Sequence, residues 1–248
     1  MTGGTDHAAP ARGNARAYAL LIFTTLCWGG NAVFGKLAVG EISPMALVTA
    51  RWLGASLLLW GQVPSPMPIH WNATGVADGF GPRWLGLTIM PAIGVGLTVL
   101  VEKLGRPQMT SEGSHRALTT IVGGTAAFMA GVHGLMLQAS ITGANLSQSL
   151  MLVLLGGLFA ALGVVLPQLN QNRVAGVRTP WSLADATNWT LTHRFARGSL
   201  LLAGTASALA GLLLSAPASV IVALGAVVVG SLAPVVFSYA VHVVQQRR

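Results

Sequence analysis

The sequence predicts an all-α membrane protein, a polytopic bundle of six or seven transmembrane helices. Charged residues make up 8% of the 248 positions and hydrophobic residues 53%, which is too little charge to cover a soluble globule of this size. The mean hydropathy of +0.66 comes from separate apolar blocks, each about as long as the 17 to 25 residues that a helix needs to cross a bilayer. Runs such as 149–166 do not alternate, which argues against an outer-membrane barrel.

Seven apolar blocks account for the predicted helices, in the order 17–39, 44–62, 84–101, 117–138, 147–168, 198–214 and 218–243. The first block is interrupted by Trp28, Asn31 and Lys36, so the sequence leaves open whether it crosses completely. Without it the count is six. A polar tail precedes this block and no small-x-small cleavage pattern follows it, so we interpret the block as a retained span rather than a signal peptide.

Basic residues alternate between the loops and predict the orientation of the bundle. Linker 61–83 carries only Arg83, and the loops near 140–146 and 215–217 carry no basic residue. By the positive-inside rule, linker 61–83 is outside, whereas linker 168–197 and the C-terminus are cytoplasmic. Seven spans would place the basic N-terminal tail outside, against the rule. The basic residues that set this pattern are Lys103, Arg106, Arg116, Arg173, Arg178, Arg194, Arg197, Arg247 and Arg248.

Small residues recur at every fourth position within the helices. This spacing lets helix backbones approach closely in a membrane, so it predicts packing within one bundle. Oligomerisation and the lining of a pathway are the alternatives. The three repeats are Gly123, Ala127 and Gly131; Gly156 and Ala160; and Ala203, Ser207 and Gly211.

The linker 168–197 contains the most informative stretch of the chain. Gly176 permits a bend, Pro180 stiffens the backbone, and the two tryptophans Trp181 and Trp189 suit a membrane interface. These features alone predict an interfacial re-entrant or amphipathic segment. Its charged side chains are candidates to pair with lipid phosphate, through Arg178 and His193, or to form a salt bridge, through Asp185.

The stretch 172–195 also resembles the signature of the SdpI family of bacterial membrane proteins. Arg197 departs from the pattern, because the family usually places a glycine soon after the His-Arg pair. The resemblance implies a location in the bacterial cytoplasmic (inner) membrane. The matching positions are Asn172, Gly176, Arg178, Thr179, Pro180, Trp181, Leu183, Trp189, Thr192, His193 and Arg194.

The outer linker is similar to part of an uncharacterised domain that often precedes SdpI regions, so the two resemblances together cover about 60–245. His70 and Asp78 are too few for a tetrahedral metal site, so we expect a hydrogen-bonded loop instead. The sequon at Asn72 has little meaning in a bacterial chain. The matching positions are Pro68, His70, Trp71, Asn72, Gly75, Asp78 and Gly79.

The N-terminal stretch 17–60 resembles the opening of the EamA group of drug/metabolite transporters, through Trp28 to Asn31, Lys36, Pro44 and Arg51. Such transporters have two similar halves, and no second copy of the pattern occurs here. The predicted division is therefore a polar tail at 1–16, an EamA-like helical hairpin at 17–62, an outer linker and helix at 63–101, and an SdpI-like bundle at 102–248.

Nothing in the sequence predicts an enzyme, a metal site or a cofactor. The acidic residues are single and dispersed, Cys27 is the only cysteine, and the buried His133 is more simply a neutral residue bonded to another helix. The SdpI resemblance implies protection against a secreted toxic peptide and retention of a cytoplasmic repressor at the membrane, with no direct contact to nucleic acid. A small-solute transporter and a membrane scaffold are the alternatives.

Overall fold

The computed structural model describes residue 54 and residues 57–247, with only the backbone at residue 102. These residues belong to one compact unit, 49–248. The predictions for the polar tail, for the block 17–39, for most of the block 44–62 and for the EamA-like hairpin lie outside the described residues.

Five helices in the described part are long and apolar enough to span a membrane, as the last five apolar blocks predict. We number the helices α1 to α6, and α4 is a short helix in the linker. Three-residue 3₁₀ turns follow α1 and α3, at Arg106–Gln108 and Leu166–Gln168. The bounds are α1 Arg83–Leu104, α2 Glu112–Thr142, α3 Gln148–Val165, α4 Pro180–Ala184, α5 Ala186–Leu213 and α6 Ala218–Gln246.

Helix α5 begins twelve residues before the apolar block at 198–214 that predicted it. Asp185 caps its N-terminus by accepting a hydrogen bond from the Asn188 backbone N–H. The helix is about 42 Å long at 1.5 Å per residue, longer than the hydrocarbon core of about 30 Å. Its polar first turns therefore extend beyond the apolar layer. Helix α2 likewise starts at a Ser111 cap, before its apolar block.

The outer linker contains a β-hairpin, the one non-helical element in the described residues. Strand β1, Met67–Trp71, pairs antiparallel with β2, Ala77–Gly81, and the register is irregular around His70. Sequence analysis predicted a hydrogen-bonded loop in an all-α fold, because the prolines and glycines of this segment obscure the alternation of strand residues. Fully buried Met67 packs with Val63 and Leu87 and ties the hairpin to α1.

Close backbone contact between α3 and α5 confirms the packing predicted from small residues. A Cβ on Gly204 would lie 2.5 Å from the Gly156 carbonyl oxygen and 2.7 Å from the Ala160 nitrogen. The Ser207 hydroxyl also donates to the Leu152 carbonyl on α3, at 3.2 Å. The repeat on α2 is only partly used, since a Cβ on Gly131 would lie 2.9 Å from Leu154, whereas a Cβ on Gly123 would meet no atom of another element within 4 Å.

Helix α6 contains a buried proline whose missing N–H is compensated. Pro234 cannot donate to the Gly230 carbonyl four residues earlier. The Ser199 hydroxyl of α5 donates to that carbonyl instead. Gly230 also allows α5 to approach, because a Cβ there would lie 2.5 Å from the Ala203 Cβ.

The connecting segments gather at two opposite ends of the bundle. At one end the hairpin meets the α2–α3 loop, where the Leu146 N–H donates to the Gly75 carbonyl at 2.9 Å and Gln148 donates to the Ala73 carbonyl. At the other end, Asn170 donates to the Gln108 carbonyl at 2.9 Å. The hairpin and the α2–α3 loop, which charge assigns to one side of the membrane, therefore lie together, and so do the segment after α1 and the linker 168–197, which charge assigns to the other side.

Candidate functional site

The loop 169–179, which we call the motif loop, follows α3 and is closed by the side chain of Asn172. The Asn172 Oδ1 accepts hydrogen bonds from the backbone N–H groups of Val174 and Ala175, both at 2.8 Å. Its Nδ2 donates to the carbonyls of Asn170 and Ala175. Asn172 is 4% exposed, so little water reaches this turn. The Asn172 side chain therefore provides the hydrogen-bond partners that the backbone N–H and C=O groups of the turn need.

His193 of α5 holds the tip of the motif loop. Its Nδ1 lies 2.8 Å from the Trp189 carbonyl, and its Nε2 accepts from the Val177 N–H at 3.1 Å. A carbonyl only accepts and a backbone N–H only donates, so this pair of bonds specifies the neutral ring with its proton on Nδ1. The Trp189 ring stacks on the imidazole with centroids 4.0 Å apart, and its Nε1 donates to the Leu169 carbonyl at 2.8 Å.

Gly176 is required where the motif loop crosses this histidine. Its φ of +113° is one that L side chains rarely adopt, and a Cβ would overlap the His193 Nε2. The glycine and the histidine of the motif are therefore one structural pair, although 17 positions separate them in the chain.

A buried hydrogen-bond network, which we call the polar cap, joins the motif loop, α4, α5 and α6. The Ser238 hydroxyl of α6 donates to Asn188 Oδ1 at 2.8 Å and lies 2.7 Å from the Thr179 hydroxyl. Asn188 Nδ2 donates to the Ser238 carbonyl at 2.9 Å, and the Thr192 hydroxyl donates to Asn188 Oδ1 at 3.0 Å. Its members, all buried, are Thr179, Ser182, Asn188, Thr192 and Ser238.

Thr179 and Ser182 form a capping box that starts α4. The Thr179 side chain accepts from the Ser182 N–H at 3.0 Å, and the Thr179 N–H donates to the Ser182 hydroxyl at 3.0 Å. Pro180 occupies the first helical position, where its missing N–H costs nothing. This arrangement accounts for the Thr-Pro-Trp-Ser order of the motif.

Asp185 links the start of α5 to the end of α6. Its Oδ1 accepts from the Asn188 N–H at 2.6 Å and from Gln245 Nε2 at 2.9 Å. The Gln245 side chain, followed by the backbone of Asn188, lowers the pKa of this carboxyl from its ordinary value of 3.8. The expected salt bridge at Asp185 is absent from the described residues, because its carboxylate caps the N-terminus of α5 and accepts a hydrogen bond from Gln245.

The remaining motif residues leave an exposed surface around the polar cap. Arg178 and Arg194 are exposed, as is Leu183 at 37%, and Arg178 Nη1 donates to the Arg173 carbonyl at 2.7 Å. Trp181 lies beside Tyr239, with ring centroids 5.0 Å apart. These side chains are accessible from outside, whereas the polar cap itself is buried.

Two expectations for this segment are wrong. His193 is 1% exposed and both its ring nitrogens are engaged, so it cannot pair with lipid phosphate. Trp189 is 3% exposed and belongs to the core rather than to a membrane interface. Hydropathy misplaced both, because it began the helix at residue 198 and so assigned the first turns of α5 to the polar linker 168–197.

The motif of the outer linker builds the hairpin and its turn. The Asn72 Oδ1 accepts from the Thr74 N–H at 2.9 Å, the Thr74 hydroxyl at 2.8 Å and the Val76 N–H at 3.1 Å. Gly75 has φ +80°, and a Cβ there would lie 2.5 Å from the Leu146 carbonyl oxygen. The turn therefore requires both the asparagine and the glycine.

His70 and Asp78 pair across the hairpin, with Nδ1 and Oδ1 2.5 Å apart. Gly79 lies opposite His70, since a Cβ there would be 2.7 Å from the His70 Cβ. Pro68 pairs with Phe80, and Trp71 packs against the cluster of Val132, Met136, Ala139 and Leu146. No group of three metal-binding side chains occurs among the described residues.

Sequence reasoning did not assign two central members of the polar cap. Asn188 and Ser238 were not among the predicted site residues, although they connect α5 to α6. Neither residue carries a charge or a reactive group, and 50 positions separate them, so local patterns give no sign of the pair. His133 of α2 is buried, at 1% exposure, as its apolar neighbourhood indicated.

Comparison with known proteins identifies the region that contains these features. Residues 168–238 match the SdpI/YfhL protein family, and residues 47–95 match a domain of unknown function, DUF1648. The immunity protein SdpI of Bacillus subtilis is 28% identical over 152 residues, which are 60% of this chain and 70% of that protein.

An uncharacterized transporter of Archaeoglobus fulgidus is 30% identical over 107 residues, which are 43% of this chain. The matched part spans only 35% of that relative. No solved structure matches the chain. With five apolar helices in its described part, the chain is a multi-pass membrane protein that carries an SdpI/YfhL family region at 168–238.

Proposed function

We propose that this chain is an immunity protein that protects a bacterial cell from a secreted toxic peptide. The observation that carries the proposal is the agreement between the family match and one structural unit. The match runs from Gln168, which immediately precedes the motif loop, to Ser238, the last member of the polar cap. Likeness to the immunity protein SdpI extends over most of that protein and supports the same interpretation.

In this proposal the hairpin faces the outside and meets the peptide. Phe80 on β2 and Val76 in the turn are 57% and 45% exposed, and Trp84 at the start of α1 is 56% exposed. Exposed apolar side chains at the membrane surface offer a contact area for a hydrophobic peptide. The hydrogen bonds to Leu146 and Gln148 hold the hairpin in place on the bundle.

A toxin-challenge assay tests the proposal. Cells sensitive to a secreted toxic peptide, expressing the full chain in their membranes, should survive a dose that kills cells with an empty vector. Phe80→Ala should reduce this protection, whereas Leu202→Ala, at a 74% exposed position on α5, should not. Equal killing of both strains, with membrane insertion verified, would contradict the proposal for that peptide.

The end of the bundle that contains the motif loop, which we call the basic end, would bind a cytoplasmic repressor. The repressor would contact the exposed surface around the polar cap. Arg178 and Arg194 supply charge there, and Trp181 supplies an aromatic face. Fractionation should find a repressor encoded beside this chain in the membrane pellet when the chain is present. Arg194→Glu should move it to the supernatant, and an unchanged distribution would contradict this part of the proposal.

Transport of a small solute is a second candidate function. The observation in its favour is the relative described as a transporter. Uptake and efflux assays in cells with and without the chain distinguish the two functions, because an immunity protein should change survival under toxin without changing solute flux. No acid–base arrangement in the described residues suggests a reaction, so we propose no catalytic activity.

A further inference from the structure

A cavity of about 450 Å³ lies directly beneath the motif loop. Its volume falls within the range of about 300 to 1,000 Å³ that is usual for ligand pockets. The cavity extends along α1 from Val101 to Gly94, about 10 Å at 1.5 Å per residue, and is bounded on α6 by Pro234. Residues 174–177 of the motif loop form its wall nearest the basic end.

The described lining of the cavity is almost entirely apolar. No charged side chain belongs to it, and its polar side chains are the hydroxyls of Thr98, Thr125 and Ser231. The Thr98 hydroxyl already donates to the Gly94 carbonyl at 2.8 Å. A polar solute would find few hydrogen-bonding partners here, whereas a hydrocarbon chain loses nothing by entering.

The wall formed by the motif loop is flanked by two arginines. Arg173 and Arg178 are both exposed, and neither takes part in the ion pairs of the described residues. Arg178 uses one guanidinium N–H for the Arg173 carbonyl, which leaves the other donors of both side chains available. Basic pockets between transmembrane helices on the cytoplasmic side are suited to anionic lipid headgroups.

We propose that the cavity binds one acyl chain of an anionic phospholipid, whose phosphate pairs with Arg173 and Arg178. The apolar lining selects the hydrocarbon, and the two arginines select the charge. Bound lipid would then support the motif loop from the side opposite to His193. This site is separate from the surface proposed for the toxic peptide, and it shares Arg178 with the surface proposed for the repressor.

Two glycines on α1 provide a matched test of the cavity. Gly94 lines it, and a Cβ added there would have only the Met129 sulfur nearby, at 3.8 Å, whereas a Cβ added at the exposed Gly96 would have no atom within 4 Å. The full chain, purified in mild detergent, is titrated with phosphatidylglycerol and with phosphatidylcholine and studied by native mass spectrometry. Gly94→Leu should lower retention of phosphatidylglycerol about tenfold, while Gly96→Leu should retain it like the unaltered chain.

Arg173→Gln tests the headgroup, because only the backbone of Arg173 is used by Arg178. Loss of one arginine near the headgroup should weaken the binding of phosphatidylglycerol about fivefold and leave the binding of phosphatidylcholine unchanged. The loss of phosphatidylglycerol binding should exceed that caused by Arg247→Gln. Equal retention by Gly94→Leu and Gly96→Leu would overturn the proposal, as would equal binding of both lipids by the unaltered chain. If Gly94→Leu does not fold, Ala126→Leu fills the same cavity from α2 and decides in its place.

Discussion

At the scale of single residues, the polar cap explains why particular amino acids occupy the motif. His193 fixes the motif loop through the Val177 N–H, and this leaves no room for a side chain at position 176. Asn188 satisfies both the backbone and the side chain of Ser238. Each member is held by at least one other, so we expect substitutions here to affect stability more than surface substitutions do.

Gly176→Ala should destabilise the protein. The left-handed backbone conformation alone costs about 1 to 3 kcal/mol for a residue with a Cβ, and overlap with the His193 ring adds to it. Thermal unfolding in detergent measures the effect. Gly198→Ala on α5 is the control, because nothing lies within 4 Å of a Cβ there and alanine favours the helix by about 0.5 to 1 kcal/mol. Equal midpoints for the two variants would contradict this account.

Asp185→Asn should lower stability near neutral pH but not in acid. The folded-state pKa of Asp185 is below the ordinary 3.8, so its charge contributes stability above that pH. The contribution is lost as the pH falls through the lowered folded-state pKa. Asparagine still caps the helix, so the variant lacks only the charge. Unfolding midpoints measured from pH 7 downward should converge; a constant difference at every pH would contradict the assignment to Asp185.

The residues of the site were only partly predictable. Gly176, Trp189 and His193 were identified through family resemblance, but their mutual contacts depend on a helix start that hydropathy did not locate. Charge and aromatic character suggested contacts with lipid for His193 and Trp189, and burial excludes them. Physical reasoning from residue type alone does not show whether a polar side chain faces water or another backbone.

At the scale of secondary-structure elements, the helices were predictable and their ends were not. Apolar length locates the part of a helix inside hydrocarbon, so the five described blocks were correct. Caps such as Ser111 and Asp185 determine where the helix itself begins, and they act in the polar region. The hairpin was missed because the prolines and glycines of this segment obscure the alternation of its strand residues, and because its contact with Leu146 is distant in sequence.

Gly156→Ala should weaken the contact between α3 and α5. The new methyl group would overlap the Gly204 carbonyl and crowd Ala208, and overpacking of this kind costs about 1 to 3 kcal/mol. Gly157→Ala, the next position of the same helix, has no atom within 4 Å of a Cβ and should be neutral or slightly stabilising. Denaturant or thermal unfolding in the same detergent compares them. A larger loss for Gly157→Ala would contradict the proposed packing.

At the scale of the whole molecule, the two ends of the bundle differ in charge and in structure. The hairpin end contains loops with few charges, whereas the other end contains the motif loop and most of the arginines of the described residues. Charge counting in the sequence grouped these loops correctly. For the part of the chain before residue 57, the prediction has two versions: six spans in total, or seven spans with the basic N-terminal tail outside.

Labelling of single cysteines tests the orientation. In a Cys27→Ser background, Ala73→Cys in the hairpin turn and Ala144→Cys in the α2–α3 loop should react with an impermeant reagent on intact cells. Gln246→Cys at the end of α6 should react only after permeabilisation. Labelling of Gln246→Cys on intact cells would reverse the orientation, and unequal behaviour of the first two would contradict their location at one end.

The number of spans is decided by one further cysteine. Seven spans place the N-terminal tail outside, so Thr5→Cys should be labelled on intact cells, whereas the six-span version protects it. Labelling in parallel with Ala73→Cys provides the positive control.

The bond between Asn188 and Ser238 has a consequence for biosynthesis. Fifty positions separate these partners, so the ribosome has synthesised most of α6 before the polar cap can close. Until then the Asn188 amide and the Thr179 hydroxyl lack their partner Ser238. Membrane quality-control proteases therefore have a defined period in which to recognise a nascent chain, and that period ends when α6 is integrated.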